Sequence, residues 1–143
     1  MMQQTQDLRV GGYKPLVPPR DLKKELPVNE ASTKTVIFGR KCIDDILEGL
    51  DRRLLVIVGP CSIHDEKAAF EYAERLNELR KKVEQTMFLV MRVYFEKPRT
   101  SVGWKGLIND PNLDGTCDIQ EGLRKARRIL RRITEIGMPA GTE

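Results

Sequence analysis

The chain has 143 residues, 40% of them apolar and 32% charged, with a net charge of +4. That is one domain's worth of sequence, and it excludes a low-hydrophobicity disordered chain and a collagen-like one. The charge is too mild for a dedicated nucleic-acid arm, and the longest apolar run, Leu54–Val58, falls far short of the ~18 residues of a membrane helix. The expectation is therefore a chain with no nucleic-acid partner and no membrane partner. The N-terminus shows no apolar secretory segment. Cys42, Cys61 and Cys117 are odd in number and widely spaced, which points to a reducing, cytoplasmic compartment.

Residues 1–33 read as an extended N-terminal arm, because Pro15, Pro18, Pro19 and Pro27 remove backbone donors and disfavour helix. Residues 34–50 carry Val36, Ile37, Ile43, Ile46, Leu47 and Leu50 at helical spacing, weakened by Gly39. The β-branched run Leu54–Val58, stopped by Gly59-Pro60, predicts a strand buried on both faces. Ser62 and Asp65 both offer a helix cap, and Ala69, Tyr72, Ala73, Leu76, Leu79 and Val83 then mark a helix running to about Lys82. Met87–Tyr94 predicts a second strand, residues 95–117 a long loop ordered by Trp104, Leu107 and Ile108, and residues 119–136 a helix stopped by Gly137. A third strand is expected to begin within residues 138–143.

Strands alternating with helices predict βαβ units and a parallel sheet. Two strands and the start of a third leave both sheet edges open, and a (β/α)8 barrel takes roughly 250 residues. The expected fold is thus α/β, with residues 34–143 forming a leading helix, two βα units and a third strand start, as the front of a larger fold.

In parallel α/β folds chemistry gathers at the C-terminal strand ends. Two segments belong there, residues 59–65 and residues 92–100. Cys61 precedes a helix start, which favours a thiolate able to ligate a metal or attack a carbon; a small buried hydrophobe is the competing reading. His64, the only histidine, reads as a capping-region residue rather than a ligand. Arg92 lies within an apolar strand and needs a partner, and Lys97, Arg99 and Thr100 cluster around Pro98. Clustered cations with a hydroxyl suit a phosphate or carboxylate; a solvated surface loop remains the alternative. The six basic residues between Gly122 and Arg132 read as the solvated face of a packed helix, in preference to a nucleic-acid surface.

Taken together, GPCSIHD (59–65) and MRVYFEKPRTSVGWKGLINDPNLDG (91–115) resemble the signature stretches of the type I 3-deoxy-D-arabino-heptulosonate 7-phosphate (DAHP) synthases. The arm, with DLRV and PLVPP, and the leading helix resemble that family's N-terminal extension, so the resemblance covers essentially the whole chain. It implies the N-terminal part of a (β/α)8 TIM barrel. It also implies a transferase of the shikimate route to chorismate and the aromatic amino acids. Such an enzyme condenses phosphoenolpyruvate with erythrose 4-phosphate, uses a divalent metal of the Mn, Fe, Co or Zn class, and forms a homo-oligomer that an aromatic amino acid inhibits. By the resemblance, Cys61 is a metal ligand and Arg92 binds phosphoenolpyruvate. Lys97 is the catalytic lysine where both substrates meet, and Pro98, Arg99 and Thr100 bind erythrose 4-phosphate. Cys117 departs from the bulky apolar residue expected there, and Ala-Gly-Thr-Glu143 from Ala-Gly-Glu-Phe. The remaining metal ligands and later cations are expected beyond residue 143, so the chain alone is expected to be inactive.

Two other readings stand beside this one. The related 8-phosphate synthases, which take arabinose 5-phosphate, share short motifs, but KPRTSVGWKGLIND and the long arm favour DAHP synthesis. A non-catalytic remnant or interaction module, docking on a longer paralogue, is the reading from a different class.

Overall fold

Two apolar runs found the sheet. Leu54–Val58 is strand β1 and Met87–Arg92 is strand β2, and they pair in parallel with Leu54 opposite Met87 and Val58 opposite Met91. Ala140–Gly141, strand β3, joins the other side of β2 opposite Met91 and Arg92, also in parallel. The sheet order is β1-β2-β3. The computed structural model describes residues 5–97 and 102–143.

Four helices accompany the sheet: α1 (Pro19–Glu25), α2 (Glu30–Leu47), α3 (Glu66–Val83) and α4 (Ile119–Glu135). The crossovers α3 and α4 start on aspartate caps. Asp65 accepts from the Ala68 amide at 2.6 Å, and Asp118 from the Glu121 amide at 3.1 Å. Asp65, not Ser62, is therefore the α3 cap. Helix α4 stops where Gly137 takes φ 87°, a left-handed turn open to glycine.

Strand β2 alternates between two packing environments, as the two-residue period requires. Leu89 and Met91 face Ala69, Ala73 and Leu76 of α3 and Ala126, Ile129 and Ile133 of α4. Phe88 and Val90 face Cys42, Ile43 and Ile46 of α2. Ile129 and Ile133 are fully buried, worth about 1.5–3 kcal/mol each. The alanines on α3 let that helix lie close to the sheet. Gly39 of α2 lies beside Pro139 at the start of β3, where an added Cβ would make an ordinary 3.4 Å contact.

Four expectations are corrected. Strand β1 is not buried on both faces, for Leu54 and Ile57 are each 61% exposed. It is an edge strand of the described sheet, and α3 packs against β2. The arm is not wholly extended, since Pro19–Glu25 is helical: Pro19 occupies the first turn, where its missing N–H costs nothing and its fixed φ suits a helix. Helix α2 begins at Glu30 rather than residue 34, because the Asn29 side chain caps it by accepting from the Ser32 amide at 2.8 Å. Strand β2 also ends at Arg92, short of Tyr94. Among the described residues no helix is long and apolar enough to cross a membrane.

Candidate functional site

The chain leaves β1 through Gly59-Pro60 and passes directly against the end of β2. A Cβ on residue 59 would lie 2.4 Å from the Arg92 carbonyl oxygen, so only glycine allows this approach. Arg92 then ties the two strand ends together. Its NH1 donates to the carbonyls of Pro60, at 2.8 Å, and Cys61, at 2.5 Å. Its guanidinium also sits 3.8 Å from the centre of the Tyr94 ring, a cation–π contact. The Ile63 amide donates to the Tyr94 carbonyl at 2.7 Å, which fixes the segment leading to α3.

Lys97 reaches back over this turn, and its Nζ lies 3.6 Å from Cys61 Sγ. Cys61 is exposed. A cleft of about 370 Å³ opens here, lined by Cys61, Ser62, His64, Lys97, Trp104 and Leu113. Cys61, Arg92 and Lys97 thus come together from two strand ends, as parallel topology dictates. Pro98, Arg99 and Thr100 lie outside the described residues. His64 borders the cleft and makes no metal cluster: among the described residues no three His, Cys, Asp or Glu side chains come together to hold an ion. The thiol is a suitable donor for a soft or borderline metal, but it is one donor and not a site.

The loop after Lys97 folds back beside it. The Lys97 amide donates to the Lys105 carbonyl at 2.9 Å, and the Leu107 amide to the Phe95 carbonyl at 2.8 Å. Gly106 allows this return, with φ 122° and no room for a Cβ, which would sit 2.2 Å from the Phe95 oxygen. Trp104 Nε1 donates to the Asp110 carbonyl at 2.9 Å, and Lys125 of α4 donates to the Pro111 carbonyl at the same distance.

Several residues that bear on the site carried no sequence signal. Glu96 accepts from the Asn109 side chain through Oε2, while its Oε1 is buried with no hydrogen-bond partner among the described residues. Burial, and then the Glu143 charge, hold its carboxyl above the usual range, against the opposing Asn109 bond. Glu143 Oε1 accepts from the amides of Phe95, at 2.7 Å, and Glu96, at 2.8 Å. The basic face of α4 is also not simply solvated. Arg124 pairs with Glu25 at 2.7 Å, and Arg127 donates to the Leu26 carbonyl at 2.7 Å, so α4 grips the end of α1. The three-residue spacing of these arginines along a helix is the signal that placed them on one face, but nothing in it identified the arm as their partner.

Parallel strands joined by helices, with cations and a thiol gathered at the strand ends, define an α/β protein whose candidate site lies at those ends. Residues 25–143 match the DAHP synthetase I family, and the chain belongs to it. It is 53% identical over 135 residues to a phospho-2-dehydro-3-deoxyheptonate aldolase of Amycolatopsis methanolica, covering 94% of this chain and 66% of that protein. It is 52% identical over its whole length to the Phe-sensitive aldolase of Escherichia coli K12, of which it spans 41%. The solved structure of the Francisella tularensis aldolase superposes with a TM-score of 0.90 at 48% identity, covering 93% of this chain and 39% of that one.

Proposed function

We propose that this chain carries part of the active site of a 3-deoxy-7-phosphoheptulonate synthase. That enzyme joins phosphoenolpyruvate to erythrose 4-phosphate, with release of phosphate, at the head of aromatic amino acid synthesis. The observation that carries the reading is the convergence of Arg92, Lys97 and Cys61 at the ends of β1 and β2. Family membership and the aldolase names of relatives at about half identity support it.

Arg92 holds its carbonyl partners through NH1, and its remaining donors are those that would meet the phosphate or carboxylate of phosphoenolpyruvate. Lys97 bridges the two substrates, its ammonium holding the first and polarising the aldehyde of the second. Pro98, Arg99 and Thr100 take the phosphate of erythrose 4-phosphate. Cys61 is the residue that would hold a divalent metal, which when bound would supply Lewis-acid chemistry. The rest of a (β/α)8 barrel, a homo-oligomer and feedback by an aromatic amino acid belong to the same proposal. The Phe-, Trp- and Tyr-sensitive names of relatives support the feedback.

The test is a chimera in which these 143 residues replace the matching stretch of the E. coli Phe-sensitive relative. It should form DAHP from phosphoenolpyruvate and erythrose 4-phosphate with Mn2+ and should not accept arabinose 5-phosphate. Lys97→Ala should lower turnover by about 10²-fold or more. This chain alone should show none. A folded chimera without turnover would refute the proposal, and one that prefers arabinose 5-phosphate would assign the chain to the 8-phosphate synthases.

A further inference from the structure

Strands β2 and β3 exchange a regular series of bonds that stops short of Lys97. The Met91 amide donates to the Pro139 carbonyl and the Val93 amide to the Gly141 carbonyl, both at 2.8 Å. The next step of a two-residue ladder would bring the Phe95 amide to the backbone carbonyl of residue 143. Instead the Glu143 side chain supplies the acceptor, and Oε1 takes the amides of both Phe95 and Glu96. One oxygen thus holds two consecutive amides, which a regular strand would send to opposite edges. On its other edge the same segment bonds to Lys105 and Leu107. The segment that leads to Lys97 is therefore held on both edges, by the Glu143 carboxylate and by the Lys105–Leu107 return, and from it Nζ reaches Cys61.

We propose that Glu143 is a positioning residue for Lys97, acting through the carboxylate oxygen that gathers the Phe95 and Glu96 amides. The inference rests on the reading of Lys97 as the working amine of the site. It makes the acceptor oxygen, not the negative charge, the operative feature. Glu143 itself is exposed, so changing it leaves the core intact.

The test compares Glu143→Gln, which keeps an acceptor oxygen, with Glu143→Leu, which has none. A short reagent bearing an iodoacetyl group and a succinimidyl ester joins Cys61 to Lys97, and peptide mass spectrometry on the full chain measures that product per alkylated Cys61. Glu143→Gln should cross-link within about twofold of the parent, and Glu143→Leu about fivefold less or lower, with equal melting temperatures by circular dichroism. Equal yields in the parent and Glu143→Leu would overturn the proposal, as would an equal loss in both variants. Phosphoenolpyruvate binding is measured on the same proteins by calorimetry. Its absence beside the expected cross-link pattern would count against the functional reading and leave the positioning role standing.

Discussion

Gly59→Ala probes the contact on which the site is built. The new methyl would start 2.4 Å from the Arg92 carbonyl oxygen and 3.0 Å from both its amide nitrogen and its Cβ. An ordinary carbon–oxygen contact is about 3.3 Å, so the ends of β1 and β2 must part by roughly 1 Å. Overpacking of this kind costs about 1–3 kcal/mol. Parting the strand ends also stretches the 2.8 Å bond from Arg92 to the Pro60 carbonyl, and losing a bond made by a charged donor costs about 1.5–3 kcal/mol. The lower unfolded-state entropy of alanine returns about 0.4–1 kcal/mol. The net expectation is a loss of about 2–5 kcal/mol, a fall in melting temperature of roughly 5–20 °C. Urea and thermal unfolding followed by circular dichroism measure it. Gly11→Ala is the control: a Cβ there meets nothing within 4 Å, and it should be neutral within about 0.5 kcal/mol. If Gly59→Ala melts with the parent, the close approach does not shape the site.

Three further outcomes follow from the same geometry. Glu96 has a folded-state pKa above its ordinary value of 4.5, so its stabilising protonated form is fully present below that value and lost as pH rises through the raised pKa. The stability of Glu96→Gln relative to the parent should therefore grow from pH 4 toward pH 8 in urea titrations, and a flat difference would contradict the burial of that carboxyl. Ile133→Ala removes a fully buried side chain between α4 and β2 and should cost about 2–5 kcal/mol by urea unfolding. Arg124→Ala breaks a half-exposed pair with Glu25, so global stability should fall by no more than about 1 kcal/mol. Hydrogen exchange within Pro19–Leu26 should nevertheless quicken, and unchanged exchange there would mean that α4 does not hold α1.

The elements with strong local signals were legible in the sequence. The start of the β2 run, the apolar stripe of α4 and the Gly137 stop each carry their own periodicity or backbone requirement, and each appears where that requirement puts it. The meeting of Cys61, Arg92 and Lys97 was legible too, because parallel strands must deliver their C-terminal ends to one side. The failures have a common physical origin. Proline was read as a helix breaker at Pro19, where it is a helix starter, and only the cap position distinguishes the two. The exposure of β1 depends on which strands have neighbours, which five residues of β-branched sequence cannot encode. Glu143, Glu96 and Asn109 act through contacts across 13 to 48 residues of chain, and a lone acidic or amide residue gives no warning of such a partner. Arg124 and Arg127 of α4 looked like part of a solvent face because their anionic and carbonyl partners lie in the arm, about a hundred residues earlier.

The cluster at the ends of β1 and β2 is proposed to receive phosphoenolpyruvate. The most direct measurement is a titration of the 15N-labelled chain with phosphoenolpyruvate, followed by amide chemical shifts. Saturable shifts should concentrate at Gly59–Ser62 and Arg92–Lys97 and be reduced in Lys97→Ala. Saturable shifts confined to other surfaces, or none at these two segments at millimolar ligand, would contradict it.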